Sequence, residues 1–164
     1  MNIKILGMAL LAFVGSAPTS AAPRDYLTVV RRTEVARSAD VAWKRLGDFC
    51  ELGELLPADC KIVSGSGDVG TVRRLNGVSV EALVARTPYS YTYSQIEGAR
   101  ANTDYHGTMA VEAIGDNRAA IIYTLVIDRG RLPPGTDLAD YQKQLEVRFQ
   151  GVVVRAKTIL EAQR

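Results

Sequence analysis

The sequence predicts an α+β fold in which a curved antiparallel β-sheet wraps around one long C-terminal helix. Short segments with alternating apolar and polar residues are joined by tight turns, which is the pattern of neighbouring antiparallel strands. The last stretch, residues 136–163, carries apolar side chains every three or four positions, among them Leu145, Phe149 and Val152. This period predicts an amphipathic helix about 40 Å long, and a helix of that length needs a wide sheet beneath it.

The fold begins with one strand and two short helices. Residues 26–35 combine β-branched and other apolar residues and predict the first strand. Ser38 is a suitable N-cap for a short helix that Gly47 ends. A capping-box pattern predicts a second short helix over residues 49–56, which Pro57 stops.

A meander of six strands lies between these short helices and the long one. Asn76-Gly77 is the strongest hairpin signal in the chain, and residues 115–118 predict another hairpin turn. Thr136 is expected to cap the final helix. The predicted strands cover residues 61–64, 71–75, 78–86, 90–96, 103–114 and 119–128.

The composition indicates one globular domain without a nucleic-acid partner. The chain has 164 residues, of which 47% are hydrophobic and 23% are charged, as is ordinary for a globular domain. Its formal net charge is +2 and its charged residues are interspersed. It therefore has no basic run that would follow a nucleic-acid backbone.

The N-terminal residues have the composition of a signal peptide. Residues 5–15 form an apolar segment that is too short to span a bilayer, and small residues follow it. We expect cleavage after Ala21 or Ala22, so that residues 1–21 are removed and residues 22–164 form a single domain. That domain would be periplasmic or secreted, with no transmembrane span after processing. An uncleaved anchor is the alternative.

The chain has two cysteines, Cys50 and Cys60. An oxidising compartment would allow a disulfide between them, and the alternative is that both are small buried hydrophobes. Together with the single histidine, His106, they are too few for a zinc site of the usual kind. The sequence therefore predicts no metal and no cofactor.

Residues 65–70 match the glycine spacing of a dinucleotide-binding loop. That motif needs a helix directly after the loop, whereas residues 71–75 predict a strand. A glycine-rich turn between strands is the favoured interpretation, and nucleotide binding is rejected.

Several segments together carry a resemblance to a known superfamily. They are VAWKRLGDF, CKIVSGSGDVGTVRRL, VSVEALVA, YTYSQIEG, TDYHGTMAV and the long terminal helix after LPPG. From Tyr26 onward the chain resembles the START/Bet v 1-like (SRPBCC) superfamily, in particular its bacterial polyketide cyclase/dehydrase-like branch. The resemblance implies a helix-grip fold with a deep apolar cavity between sheet and helix. Members of the superfamily bind hydrophobic small molecules, and some are enzymes.

Glu81 is the main polar candidate for the cavity. It alternates with Ser79 and Leu83, and the resemblance implies that this strand face points inward. A two-residue Asn76-Gly77 turn would place Arg74 diagonally across from Glu81. A bulge in the hairpin would put Arg73 there instead. A buried carboxylate needs such a partner or a water network. The interpretations left open are a ligand anchor, a general acid or base, and a structural ion pair at the rim.

Three strand faces would supply the remaining cavity wall, according to the resemblance. Tyrosines in an apolar cavity need hydrogen-bond partners, which suggests a ligand with oxygens, cavity water, or mutual hydrogen bonds. His106 alternates with Tyr105 and so points away from the cavity. Gly151 lies in the middle of the long helix, where it allows a close approach to the sheet or a bend. The three faces comprise Tyr91, Tyr93 and Gln95; Tyr105, Gly107 and Met109; and Ile121, Tyr123 and Leu125.

The sequence thus favours an exported protein that binds a hydrophobic, lipid- or polyketide-like small molecule. Its polar anchors would be Glu81 and Arg74, and Leu145, Phe149 and Val152 of the helix would add apolar contact. One alternative is an enzyme of the cyclase/dehydratase kind that uses Glu81 and the cavity tyrosines. Another is an envelope interaction module whose interior is only packed core. A homodimer is left open.

Overall fold

A computed structural model describes residues 24–50, 55–56 and 58–162. One short helix follows the first strand, six strands come next, and a long helix ends the described chain. The strands are β1 (Tyr26–Val35), β2 (Cys60–Ser64), β3 (Val72–Leu75), β4 (Ser79–Thr87), β5 (Ser90–Glu97), β6 (His106–Gly115) and β7 (Arg118–Asp128). The helices are α1 (Ala39–Leu46) and α2 (Leu138–Ala162), with short 3₁₀ turns at Ala101–Thr103 and Arg129–Arg131.

The seven strands form one antiparallel sheet in the order β1-β7-β6-β5-β4-β3-β2. Strands β2 to β7 follow each other as a meander, whereas β1 closes the far edge by pairing with β7. Helix α2 crosses the sheet and makes its main contacts with β1 and β7. This is the predicted α+β arrangement of a curved sheet around one long helix.

Helix α2 lies closer to strands β1 and β7 than to the other end of the sheet. Its buried stripe includes Leu145, Phe149, Val153 and Leu160, which matches the apolar period of the sequence. Because the helix contacts mainly β1 and β7, a space remains between it and strands β3 to β5. That space holds the candidate site.

The caps of α1 are the predicted ones, whereas the N-cap of α2 differs from the prediction. Ser38 Oγ accepts a hydrogen bond from the Val41 N–H, and Gly47 forms the C-cap of α1. Thr136 is not the cap of α2, because its hydroxyl donates to the Pro133 carbonyl. The Asp137 side chain accepts from the N–H groups of residues 139 and 140 and caps the helix instead. A carboxylate next to the helix start is also favoured by the helix dipole.

Strand β6 begins later than predicted because the chain turns before it. Residues Ala101–Thr103 form a 3₁₀ turn, and Asp104 takes a left-handed conformation with φ 52°. Strand pairing then starts with His106 opposite Ser94.

The hairpin at Asn76-Gly77 has a three-residue connection where the sequence predicted two. Leu75 pairs with Ser79, so residues 76–78 form the turn. Asn76 and Gly77 both have positive φ, as this tight turn requires, at 49° and 71°. The extra residue shifts the register by one position, which places Arg73 directly opposite Glu81. A shift of one residue moves side chains to the other face of the sheet.

Cys50 and Cys60 form a disulfide with a Cα–Cα distance of 5.5 Å. The bond joins the segment after α1 to the start of β2, so residues 55–56 and 58 are held between two linked points. Residues 51–54 of the predicted second short helix, 49–56, lie outside the described residues, and so does the whole predicted signal peptide, residues 1–21. Within the described ranges, no helix is long and apolar enough to cross a bilayer.

Candidate functional site

A cavity of about 360 Å³ lies between α2 and strands β3 to β5. Its volume falls in the usual range of small-molecule sites, roughly 300–1,000 Å³. The helix contributes Phe149, Gly151 and Val152, and the segment next to the disulfide contributes Leu55 and Leu56. The helix thus supplies apolar groups together with Arg148 and Arg155, and the sheet supplies the buried polar groups.

The buried polar groups centre on an ion pair between Arg73 and Glu81. The Nη2 and Nε atoms of Arg73 lie 2.6 and 2.8 Å from Glu81 Oε2. Arg73 Nη1 also donates to the Phe49 carbonyl, and the guanidinium lies 4.0 Å from the centre of the Phe49 ring. The exposed fractions of the two side chains are only 1% and 6%. Arg73 is thus fixed in place by an ion pair, a carbonyl and an aromatic face.

Glu81 keeps one oxygen for another partner. Both contacts with Arg73 involve Oε2, and Oε1 has no hydrogen bond from any described residue. Burial raises the pKa of the Glu81 carboxyl above its ordinary value, and the facing Arg73 guanidinium opposes that rise. Because Glu81 lines the cavity, this carboxyl can accept a hydrogen bond from a bound molecule.

Three tyrosine hydroxyls form a hydrogen-bonded cluster beside the ion pair. Tyr93 Oη lies 2.6 Å from Tyr123 Oη and 3.2 Å from Tyr105 Oη. Burial raises the pKa of Tyr105 to about 12 and also raises the pKa values of Tyr93 and Tyr123. Mutual hydrogen bonds therefore satisfy these hydroxyls, which is one of the arrangements left open by the sequence.

Gly107 makes room for the central tyrosine of this cluster. A Cβ at position 107 would lie 2.4 Å from the hydroxyl end of Tyr93. Only a residue without a side chain allows Tyr93 to lie across β6 and reach Tyr123.

About half of the predicted lining residues contact the cavity. Ser79, Glu81, Tyr93, Gln95, Tyr105, Phe149 and Val152 line it. The others are buried beneath it in the hydrophobic core, namely Leu83, Tyr91, Met109, Ile121, Tyr123, Leu125 and Leu145. Tyr91, for example, packs against Trp43 and Phe49 at ring-centre distances of 5.9 and 5.5 Å.

The prediction that Arg74 is the partner of Glu81 is wrong. Its side chain points to the other face, is 38% exposed and lies 3.4 Å from Glu97. The reason is the additional residue in the Asn76-Gly77 turn, which gives the inward position to Arg73. The hairpin sequence is compatible with the observed register, since a three-residue connection is the next most common form after a two-residue one.

Three further arginines at the cavity, Arg100, Arg148 and Arg155, were not selected as site residues from the sequence. Arg148 and Arg155 lie off the apolar stripe of α2, and the sequence indicates only that they are rim or solvent charges. Arg100 follows β5 in a turn, and its N–H donates to Gln95 Oε1 at 2.7 Å. No periodic signal identifies such a turn residue, because its side-chain direction depends on the turn conformation.

The remaining candidates lie away from the cavity. His106 points outward, as predicted, with Nε2 3.3 Å from Asp104 Oδ1. The glycine-rich residues 65–70 lead into β3 and not into a helix, as expected for a turn. Within the described part of the chain, no group of three or more His, Cys, Asp and Glu side chains is placed to hold a metal ion.

A seven-stranded antiparallel sheet around a C-terminal helix, with a cavity between them, defines the helix-grip class. The sequence profile of the family described as "Polyketide cyclase / dehydrase and lipid transport" matches residues 26–161, and the chain belongs to this family. A search of curated proteins finds no significant match.

Solved structures share the fold at low sequence identity. A protein from Nitrosospira multiformis is 20% identical with a TM-score of 0.68, and the match covers 84% of this chain and 100% of that one. The Zhui aromatase/cyclase from Streptomyces sp. R1128 is 18% identical with a TM-score of 0.67, covering 85% and 96%. A point mutant of Thalictrum flavum norcoclaurine synthase, in complex with a transition-state analogue, is 18% identical with a TM-score of 0.65, covering 87% and 98%.

Proposed function

We propose that this protein binds a small, largely apolar molecule in the cavity between α2 and strands β3 to β5. The observation that carries the proposal is a partly apolar cavity lined by a largely buried carboxyl with one oxygen that Arg73 does not occupy. Glu81 Oε2 is occupied by Arg73, whereas Oε1 accepts no hydrogen bond from a described residue. Because Glu81 lines the cavity, Oε1 can accept a hydrogen bond from a hydroxyl or N–H group of a ligand.

The lining determines the shape of the ligand. Phe149, Val152, Leu55 and Leu56 form an apolar part of the lining, so the body of the ligand is apolar and compact. Its hydrogen-bond donor lies toward Glu81 on the sheet side. Support for a lipid- or polyketide-like molecule comes from the family description, which combines polyketide cyclase/dehydrase and lipid transport.

Native mass spectrometry of the protein from its own host tests whether a ligand is present. We expect a mass increment that corresponds to one small molecule and disappears on denaturation. A homogeneous unliganded protein that also fails to bind apolar dyes would contradict the proposal.

A matched pair of helix variants tests where binding occurs. A Cβ at Gly151 would meet no atom within 4 Å, so Gly151→Leu places a side chain in open space beside the cavity lining. Val154 is 49% exposed on the same helix and does not line the cavity, so Val154→Leu is the control. The neutral dye N-phenyl-1-naphthylamine should bind the first variant about tenfold more weakly, equal to about 1.4 kcal/mol, and the control as wild type. Equal dye binding by both variants would exclude the cavity as the binding site.

Acid–base catalysis is a second candidate function, favoured by one observation. Burial raises the pKa of Glu81 in a cavity that Tyr105 also lines, and a buried carboxyl with a raised pKa is a candidate for proton transfer. An enzyme would consume host metabolites in a mass-spectrometric turnover assay, and Glu81→Gln would abolish that turnover while leaving dye binding nearly intact. Dye binding without turnover by wild type supports the carrier.

Export is the last part of the proposal. Residues 1–21 are a cleaved signal peptide, and the protein acts in the periplasm or outside the cell. The apolar residues 5–15, the small residues before position 22 and the Cys50–Cys60 disulfide support this, because disulfides persist in oxidising compartments. Sequencing the protein from its host should find an N-terminus at Ala22 or Pro23. Recovery of the chain with Met1 from the cytoplasm would contradict export.

A further inference from the structure

The cavity lining carries an excess of positive charge. Four arginines line it, Arg73, Arg100, Arg148 and Arg155, together with a single carboxylate, Glu81. Arg73 and Glu81 neutralise each other in their buried ion pair. Three guanidiniums remain, so the charge of the lining is +3 although the whole chain carries only +2.

None of these three arginines has a carboxylate partner in the described part of the chain. Two neighbouring acids are paired elsewhere, since Glu97 lies 3.4 Å from Arg74 and Glu146 lies 2.7 Å from Arg31. Arg155 only donates to the Leu55 carbonyl at 3.4 Å. Exposed arginines in proteins commonly lie near acids, and here the acids are directed away from the cavity.

Arg100 provides the clearest sign of a missing partner. Its Nε atom is buried and has no hydrogen bond, although its guanidinium lies 5.6 Å from the centre of the Tyr105 ring. A buried N–H of a cation without an acceptor is costly. An anion at this edge of the cavity would supply the acceptor.

The three charges lie next to apolar walls. Arg148 and Arg155 are two turns apart on α2, which corresponds to about 10 Å along the helix axis. Phe149 and Val152 lie between them in the sequence and contribute to the apolar lining, and the Arg148 guanidinium is 5.8 Å from the centre of the Phe149 ring. Arg100 approaches from the sheet side, over Tyr105. The site therefore combines an apolar body with a cationic margin.

We propose that the ligand is an anionic amphiphile, with its carboxylate, sulfonate or phosphate at Arg100, Arg148 and Arg155 and its apolar body against Phe149 and Val152. This inference rests on the proposed function, because it names the class of ligand for the same cavity. Arginine is suited to the role because its planar guanidinium stays charged and offers several donors to an oxyanion.

A pair of dyes with a common scaffold tests the inference on the full protein. N-phenyl-1-naphthylamine is neutral, and 1-anilinonaphthalene-8-sulfonate adds one sulfonate to the same rings. The variant combines Arg100→Gln, Arg148→Gln and Arg155→Gln. The control combines Arg32→Gln, Arg118→Gln and Arg131→Gln, which removes the same charge from exposed salt bridges outside the cavity lining.

The expected result is selective loss of the anionic dye. The cavity variant should bind the sulfonate at least about tenfold more weakly, or about 1.4 kcal/mol, while its affinity for the neutral dye changes less than about twofold. The control variant should bind both dyes as wild type does. Equal loss of the sulfonate in both triple variants, or no loss in the cavity variant, overturns the inference.

Salt dependence provides a second measurement that needs no variant. Raising the ionic strength from about 0.01 to about 1 M shortens the screening length from about 30 to about 3 Å. Binding of the sulfonate to wild type should weaken over this range relative to binding of the neutral dye. Parallel salt dependence for the two dyes counts against an anion site.

Displacement of the neutral dye then identifies the kind of anion. Decanoate and decyl phosphate share a chain with neutral decanol, so their relative affinities isolate the head group. The inference is supported if either anion displaces the dye more strongly than decanol does. Stronger displacement by decanoate indicates a carboxylate ligand, and stronger displacement by decyl phosphate indicates a phosphate ligand. Decanol displacing as well as both anions overturns the inference while preserving the proposed function. Failure of the neutral dye itself to bind wild type would count against the proposed function instead.

Discussion

Arg73 and Arg74 are adjacent in the sequence and are expected to differ greatly in their effect on stability. Arg73→Ala would leave the Glu81 carboxylate buried without its cation, at a cost of about 3–5 kcal/mol. Arg74→Ala removes an exposed contact with Glu97 that is worth about 0–1 kcal/mol. Urea unfolding of the two variants measures both losses. A larger loss in Arg74→Ala would mean that the hairpin has the two-residue turn and the opposite register.

We expect that the Arg73–Glu81 ion pair is not required for a stable fold. Replacing both partners, with Arg73→Met and Glu81→Leu, removes the two charges together and keeps a similar volume. Such a swap is often neutral or stabilising, so the double variant should recover most of the stability that Arg73→Ala loses. Retention of the pair is then explained by the cavity, where Glu81 Oε1 is available to a ligand.

The buried tyrosines predict the behaviour of the protein in alkali. Tyr105 has its pKa raised to about 12 by burial, and the pKa values of Tyr91, Tyr93 and Tyr123 are raised as well. A raised pKa in the folded state means that stability is complete below the unfolded value of about 10 and is lost as the pH rises toward the folded value. At about pH 11 the folded protein should therefore show less tyrosinate absorbance than the urea-unfolded chain, and unfolding should become easier. Equal absorbance in both states would contradict the buried cluster.

At the scale of single residues, the sequence identified Glu81, favoured Arg74 as its partner and kept Arg73 as the alternative. The resemblance implied that the Glu81 face of β4 points inward, and Glu81 is buried in the structure. The choice between Arg73 and Arg74 depends on one residue in the turn, and Asn76-Gly77 is compatible with either connection. Free energies of alternative turns differ too little for the local sequence to decide, and packing of Arg73 on Phe49 and Tyr93 favours the observed register.

At the scale of elements, two glycines should respond oppositely to alanine. Gly151 lies in α2 with nothing within 4 Å of an added Cβ, so Gly151→Ala should stabilise the helix by about 0.5–1 kcal/mol. Gly107 lies in β6 against Tyr93, which is 3% exposed and hydrogen bonded, so the added Cβ cannot be accommodated by a simple ring movement. Gly107→Ala should destabilise by about 1–3 kcal/mol. Urea unfolding checks both values.

The opposite result at position 151 would be informative. A loss of stability in Gly151→Ala would mean that the helix needs the glycine for a bend, which was one of the two roles expected from the sequence. The other role, close approach to the sheet, is wrong because open space surrounds this position.

Elements with a strong period were predictable, and irregular connections were not. The seven strands and α2 follow from alternation and from apolar residues every three or four positions. The cap of α2 was misplaced by one residue because Thr136 and Asp137 are both good caps, and only the path of the chain after Pro133 decides between them. The late start of β6 depends on the left-handed conformation of Asp104, which has no signature of its own in the sequence.

At the scale of the whole molecule, the cavity depends on how α2 lies on the sheet. The helix rests on β1 and β7, and the space opens on the side of β3 to β5. The resemblance implied that the strand faces with Tyr93 and Tyr123 both point inward, and both side chains are buried. Alternation cannot distinguish residues of the cavity wall from core residues beneath them, because both are buried. Tyr93 lines the cavity while Tyr123 packs on Phe149 at 4.8 Å.

Ligand binding should stabilise the entire domain, because the cavity requires the sheet, α2 and the segment beside the disulfide together. A ligand at a hundred times its dissociation constant adds about 2.7 kcal/mol to the free energy of unfolding if it binds only the folded state. N-phenyl-1-naphthylamine at that excess should therefore shift urea unfolding of wild type and Val154→Leu by this amount. At the same dye concentration, a roughly tenfold weaker affinity of Gly151→Leu should reduce this gain to about 1.4 kcal/mol. An equal gain in Gly151→Leu would place the dye elsewhere on the surface, because Gly151 belongs to the cavity lining and its substitution alters the site there.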